Sequence, residues 1–228
     1  MTSYIDGISA YCDRWCERCA FTARCSTFAA TVAVAMCGDV HEGFELALGE
    51  TPEQRESEPP PDLEYSEPTP EEIAAVARLE RERKERIDET RLMKLAWAFS
   101  IDSHRWTAAR CEFARLGADA VLKEAIDVAL HDAYFIGAKI RRALSGRDRS
   151  RRDDDWDEHP VQNDWNGSAK IALISLERSE PAWRVIAQAT GDTMPANLAD
   201  QLRDLRTEVE REFPTARSFV RPGFDTCS

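Results

Sequence analysis

No apolar run in this chain is long enough to cross a membrane. The longest, residues 27–37, has 11 residues, where a span needs about 20. The opening Met1-Thr2-Ser3-Tyr4-Ile5-Asp6 has neither the basic nor the apolar part of a secretory leader, so a cytoplasmic location is expected. Basic residues are short too: 30 Lys plus Arg against 42 Asp plus Glu give a net charge of −12. Phosphate backbones are bound by net basic surfaces, so a nonspecific nucleic-acid coat is disfavoured. No stretch alternates apolar and polar residues as a half-buried strand does, and no solenoid-type repeat is present. Also missing are a Gly-x-Ser-x-Gly elbow, a Gly-rich phosphate loop and a metalloprotease helix motif, which leaves nucleophilic catalysis little support.

What is present is enough apolar residue, 43% of 228, to build a core and to exclude wholesale disorder. Seven cysteines in a reducing compartment point away from a disulfide framework and toward metal or thiol chemistry.

The chain reads as three parts. Residues 1–48 form a cysteine-rich module that ends in an Ala-rich helical run from Ser26 to Met36. Residues 49–68 carry five prolines and many acids. Such a segment cannot bury enough surface to offset its ordering entropy, and it reads as a solvated linker. Residues 69–228 are helical. Thr69-Pro70-Glu71-Glu72 is a helix start, with Thr as N-cap and acids in the first turn. That helix is expected to run on through the charged residues 78–91, a solvated face with Glu–Arg pairs, as far as Phe99.

A second helix is expected over 118–144, stopping at Gly146, then a polar loop over 147–164. A third opens at Asn166-Gly167-Ser168 and is apolar on nearly all sides, which marks a central helix. Pro181 should kink or restart it. A fourth covers 196–212, with Leu198, Leu202, Leu205 and Val209 at helical spacing. The expected fold is all-α: a bundle of about four long helices with an N-terminal cysteine-rich metal-binding module. The tail around Phe219 and Phe224 is expected to fold back on the bundle.

Four cysteines fall within 14 residues: Cys12-x3-Cys16-x2-Cys19-x5-Cys25. Short loops between them cost little closure entropy, so their thiolates can converge on one centre. That centre is a [4Fe–4S] cluster or a tetrahedral zinc, with redox-active thiols as a third reading. Zinc modules more often pair two Cys-x-x-Cys knuckles across a longer loop. Here one knuckle, Cys16-Glu17-Arg18-Cys19, sits in a continuous turn, which suits a cube better. Tyr11, Trp15, Phe21 and Phe28 interleave with the ligands and could exclude water. Arg14, Arg18 and Arg24 could balance thiolate charge.

The stretch from Cys16 to Ala29 resembles the last three ligands and following helix of WhiB-like iron–sulfur regulators. Its Cys-x2-Cys-x5-Cys spacing is also similar to the cluster loop of helix-hairpin-helix DNA glycosylases. Both resemblances imply a [4Fe–4S] cluster. They cover about fourteen residues, and the rest of the chain departs from both families. It has neither the Gly-Trp turn and basic tail of the regulators nor the helix-hairpin-helix and catalytic Asp or Lys of the glycosylases. Taken whole, the chain resembles a bacterial family with an N-terminal four-cysteine motif and no established activity. Tyr11-Cys12-Asp13-Arg14-Trp15-Cys16-Glu17-Arg18-Cys19, Asn166-Gly167-Ser168-Ala169-Lys170 and Val220-Arg221-Pro222-Gly223-Phe224-Asp225 carry that resemblance.

A second site inside the bundle is less well supported. A di-iron centre needs Glu-x-x-His pairs, and none of His41, His104, His131 and His159 has an acid three residues before it. Glu124, Asp127 and His131 share a face opposite Ile126, Ala129, Ala133, Ile136 and Ile140, which points the trio outward. Lys170 and Glu177 on the central helix, near Ser168, Ser175 and Ser179, are the other polar candidates. The acidic run 153–158 lacks the spacing and glycine of a calcium loop and reads as solvated. Cys37 and Cys111 read as small core residues, and Cys227 is isolated.

The function expected first is therefore an iron–sulfur protein ligated by Cys12, Cys16, Cys19 and Cys25, acting in electron transfer, redox sensing or regulation of a protein partner docked by the acidic bundle. The second is an iron–sulfur-dependent enzyme with a pocket among the helices, using Glu177, Lys170 and His131. The third is a zinc-stapled interaction module.

Overall fold

The computed structural model describes residues 3–49, 67–151 and 159–225, apart from the side chains at 111 and 113–115. Among the described residues there are seven α-helices and no strand. No helix is long and apolar enough to cross a membrane. Most of the stretch read as a linker, the acidic run 153–158, Cys227 and the Cys111 side chain lie outside the described residues.

The chain divides into two compact units, one made of Met1–Arg78 together with Arg221–Ser228, the other of Leu79–Val220. In the first, α1 (Ser26–Cys37) and α2 (Val40–Leu48) form a tight hairpin. Gly38 caps α1 at φ 73°, the left-handed conformation that glycine takes without strain, and the Asp39 carboxylate accepts from the Glu42 N–H to start α2. Gly43 lets the helices meet, since a Cβ there would lie 2.5 Å from the Val34 Cα.

Helix α3 (Pro70–Asp88) begins as its sequence predicts. The Glu72 N–H donates to the Thr69 hydroxyl at 3.2 Å, and the Thr69 N–H donates to the Glu72 carboxylate at 2.8 Å. It does not continue to Phe99. The chain breaks at Glu89-Thr90 and restarts as α4 (Arg91–Arg115). The Thr90 hydroxyl donates to the Ile87 carbonyl and accepts from the Met93 N–H, closing one helix and capping the next.

In the second unit α4 packs on α5 (Ala120–Ser150) and α7 (Thr193–Glu212), and α6 (Asp164–Thr190) packs on α5 and α7. Three of these helices start on side-chain caps from Asp119, Asn163 and Asp192. Helix α5 passes through Gly146 rather than stopping there. Trp165 packs beside Gly146, where a Cβ would meet the Trp165 Cβ at an ordinary 3.4 Å, so this glycine does not terminate the helix. Helix α6 starts at Asp164, two residues before the expected opening, and is unbroken at Pro181, whose ring lies on the exposed side.

The core follows the predicted stripes. Ile126, Ala129, Ile136 and Ile140 of α5 are buried, as are Ile171, Leu173, Leu176 and Ile186 of α6 and Leu198, Leu202, Leu205 and Val209 of α7. Trp106 and Trp183 meet edge to face, with ring centroids 5.3 Å apart. Val121, in the first turn of α5, is 63% exposed. The tail divides between the units. Phe219 is buried with Leu79–Val220, whereas Pro222 to Asp225 belong with the cysteines.

Candidate metal centre

The cysteines are positioned by local backbone hydrogen bonds more than by a core. Cys16–Arg18 and Thr22–Arg24 are single 3-10 turns, closed by the Cys19 N–H to the Cys16 carbonyl and the Cys25 N–H to the Thr22 carbonyl. Arg14 adopts φ 57°, a left-handed conformation, and turns the chain between Cys12 and Cys16. The Asp13 carboxylate accepts from the Trp15 N–H, and the Arg18 guanidinium lies 3.9 Å over the Trp15 ring. The Ile5 N–H bonds to the Arg24 carbonyl, which ties the start of the chain to the last cysteine turn.

Cys12, Cys16, Cys19 and Cys25 are all half-buried free thiols that line one small cleft of about 20 Å³. Ile8, Trp15, Phe28 and Phe224 supply its apolar walls. Two sulfurs accept main-chain hydrogen bonds: the Phe21 N–H donates to the Cys19 Sγ and the Phe28 N–H to the Cys25 Sγ, each at 3.4 Å. Cys25 is also the N-cap of α1, where the helix dipole favours an anion. The Cys12 thiol donates to the Ser9 carbonyl. Burial pushes the Cys16 thiol above its ordinary pKa, and the other three cysteines and Glu17 push the same way. Four thiolates in one cleft repel one another, and a bound cation would relieve that repulsion.

Among the described residues, no group of three or more His, Cys, Asp or Glu side chains meets the geometry of a metal-ion site. A four-sulfur set with N–H···S hydrogen bonds suits a thiophilic group.

Of the other candidates, Lys170 and Glu177 have partners near the end of the described chain. Lys170 donates to the Phe219 carbonyl, and Glu177 pairs with Arg217. His131 stands on a different helix with its ring 5.6 Å from Phe135. Glu124 is exposed and Asp127 half-buried. Ser168, Ser175 and Ser179 are fully buried along α6 with hydroxyls that meet no hydrogen-bond partner. Cys37 is half-buried on α1 rather than in a core, because its helix is covered on one side only.

Sequence reasoning passed over two features. Phe224 reaches the thiol cleft from the far end of the described chain, and no local spacing announces that. Asp132, fully buried, takes a bidentate pair of hydrogen bonds from Arg178 at 2.6 and 3.1 Å, linking α5 to α6. Its place among the apolar positions of α5 was the available signal.

Compared with protein-family models, curated proteins and solved structures, the chain matches none.

Proposed function

We propose that this is an iron–sulfur protein in which Cys12, Cys16, Cys19 and Cys25 hold a [4Fe–4S] cluster, carried on a four-helix bundle and serving electron transfer, redox sensing or regulation of a protein partner in the cytoplasm. The observation that carries the reading is the gathering of all four thiols on one apolar-walled cleft, with main-chain N–H groups donating to two of the sulfurs. Such hydrogen bonds and the shielding aromatics are what the protein contributes to a cluster's potential.

The single Cys16-Glu17-Arg18-Cys19 knuckle in a continuous turn suits a cube, which spreads its thiolates over four irons, better than a zinc, which draws them to about 2.3 Å of one point. The local resemblance to WhiB-like regulators and to the cluster loop of DNA glycosylases adds to the same side. When bound, the cluster would supply one-electron chemistry. The chain's own part is to bind it through the four sulfurs, to donate hydrogen bonds from Phe21 and Phe28, and to exclude water with Trp15, Phe28 and Phe224. The enzyme reading has less behind it, because Lys170 is tied to the Phe219 carbonyl, Glu177 to Arg217, and His131 stands on another helix.

The test is anaerobic purification with a visible spectrum and iron, sulfide and zinc assayed on one sample. A brown protein with about four irons and four sulfides per chain is expected, and Cys19→Ser should lose most of that iron. A colourless protein with one zinc, or iron content unchanged in Cys19→Ser, overturns the reading.

A further inference from the structure

The thiol cleft is not built from the N-terminal residues alone. Residues 221–225 form a compact turn that belongs to the same unit. The Phe224 and Asp225 N–H groups both bond to the Arg221 carbonyl. Arg221 in turn holds Asp225: its main-chain N–H and its guanidinium donate to that carboxylate at 2.9 to 3.3 Å. The guanidinium also lies 4.8 Å over the Phe224 ring. The ring meets Phe21 edge to face, centroids 4.9 Å apart, while lining the cleft beside the four cysteines.

Gly223 is what allows the approach. It is buried at φ 76°, and a Cβ there would lie 3.0 and 3.1 Å from the terminal methyls of Ile5 and Ile8. Any larger residue is strained in its backbone and pressed against the floor of the cleft.

We propose that residues 221–225 are a plug for the thiol centre: Phe224 closes one wall and limits the access of small solutes to the cysteines, with Gly223 and the Arg221–Asp225 clamp as its positioning residues. The consequence for a cluster rests on the function proposed above. The closure of the thiols does not, and it can be read in the metal-free protein. A plug supplied by chain far downstream also means that cysteines 12 to 25 stay open to metal and sulfide donors until the rest of the chain has folded.

The experiment follows N-ethylmaleimide labelling of each cysteine by mass spectrometry in the reduced, metal-free full chain, with Cys37 as the reference outside the cleft. Phe224→Ala and Gly223→Ala are expected to speed labelling of Cys12, Cys16, Cys19 and Cys25 about tenfold while Cys37 keeps its rate. Cleft rates that change no more than that of Cys37 overturn the plug. Should Cys37 accelerate with them, the module has loosened, and Phe224→Leu decides. Its apolar bulk should return the cleft cysteines to within about twofold of wild type, and failure to do so overturns the plug. The metal content of the wild type, measured separately, reports on the cluster whichever way the labelling falls.

Discussion

Gly43 is the residue on which the cysteine module's helical hairpin turns. Its missing Cβ would lie 2.5 Å from the Val34 Cα and 2.6 Å from the Val34 nitrogen, both main-chain atoms that cannot swing aside. A rotamer change relieves a crowded side chain, but here one whole helix would have to move. Gly43→Ala should therefore push α2 off α1, at a cost of about 1–3 kcal/mol. Circular dichroism and thiol labelling should show a loosened module while the melting of Leu79–Val220 is unchanged; unchanged module stability would contradict the close approach. The cysteines belong to this scale too. Their order in the sequence made a shared cleft readable, because four thiols within 14 residues need no distant chain to come together. The fifth contributor, Phe224, was not readable, since nothing in its neighbours says where a tail will land.

Among the elements, α7 shows how charge and burial combine. Glu208 is buried at 6% exposure and hydrogen-bonded by Arg211 at 3.2 Å and at a second, shorter contact. The Arg211 hydrogen bond holds its carboxyl below the ordinary glutamate value, with the charges of Arg211 and Arg91 adding to it against the opposing effect of burial. A carboxyl depressed in the folded state stabilises the fold above its unfolded pKa, and that contribution is lost as pH falls through the folded value. Asp192, the N-cap of α7, is also depressed, first by the Met194 N–H and then by the Trp106 and Arg110 side chains. Thermal melts between pH 6 and pH 3 should thus show falling stability, and Glu208→Gln should flatten part of that slope; an identical slope would remove Glu208 from the account. Helix ends were less readable than helix faces. Thr90 ends α3 and caps α4 with one hydroxyl, while Gly146 stays inside α5, with Trp165 beside it. The same residue types stop or continue a helix according to what lies beside them.

The whole molecule is two compact units that have buried side chains of their own: Ile8, Ala30 and Ala33 in one, and the α4–α7 core in the other. The first buries little, and small units of that kind are commonly held by a metal. If the four cysteines hold the proposed centre, calorimetry should show that chelation lowers the melting of the cysteine unit and leaves that of the helical unit within about 2 °C. A single transition that shifts as a whole would show the two to be one cooperative body.

The sequence by itself determined the all-helical class, the buried stripes of α5, α6 and α7 and the grouping of four cysteines. These follow from short-range periodicity and spacing, which act within a few turns of the chain. Only the tertiary structure decided that Trp165 packs beside Gly146, that Asp132 and Arg178 meet, and that Phe224 lines the thiol cleft. Each of these depends on a partner distant in sequence, and contact between such residues is set by how the elements pack.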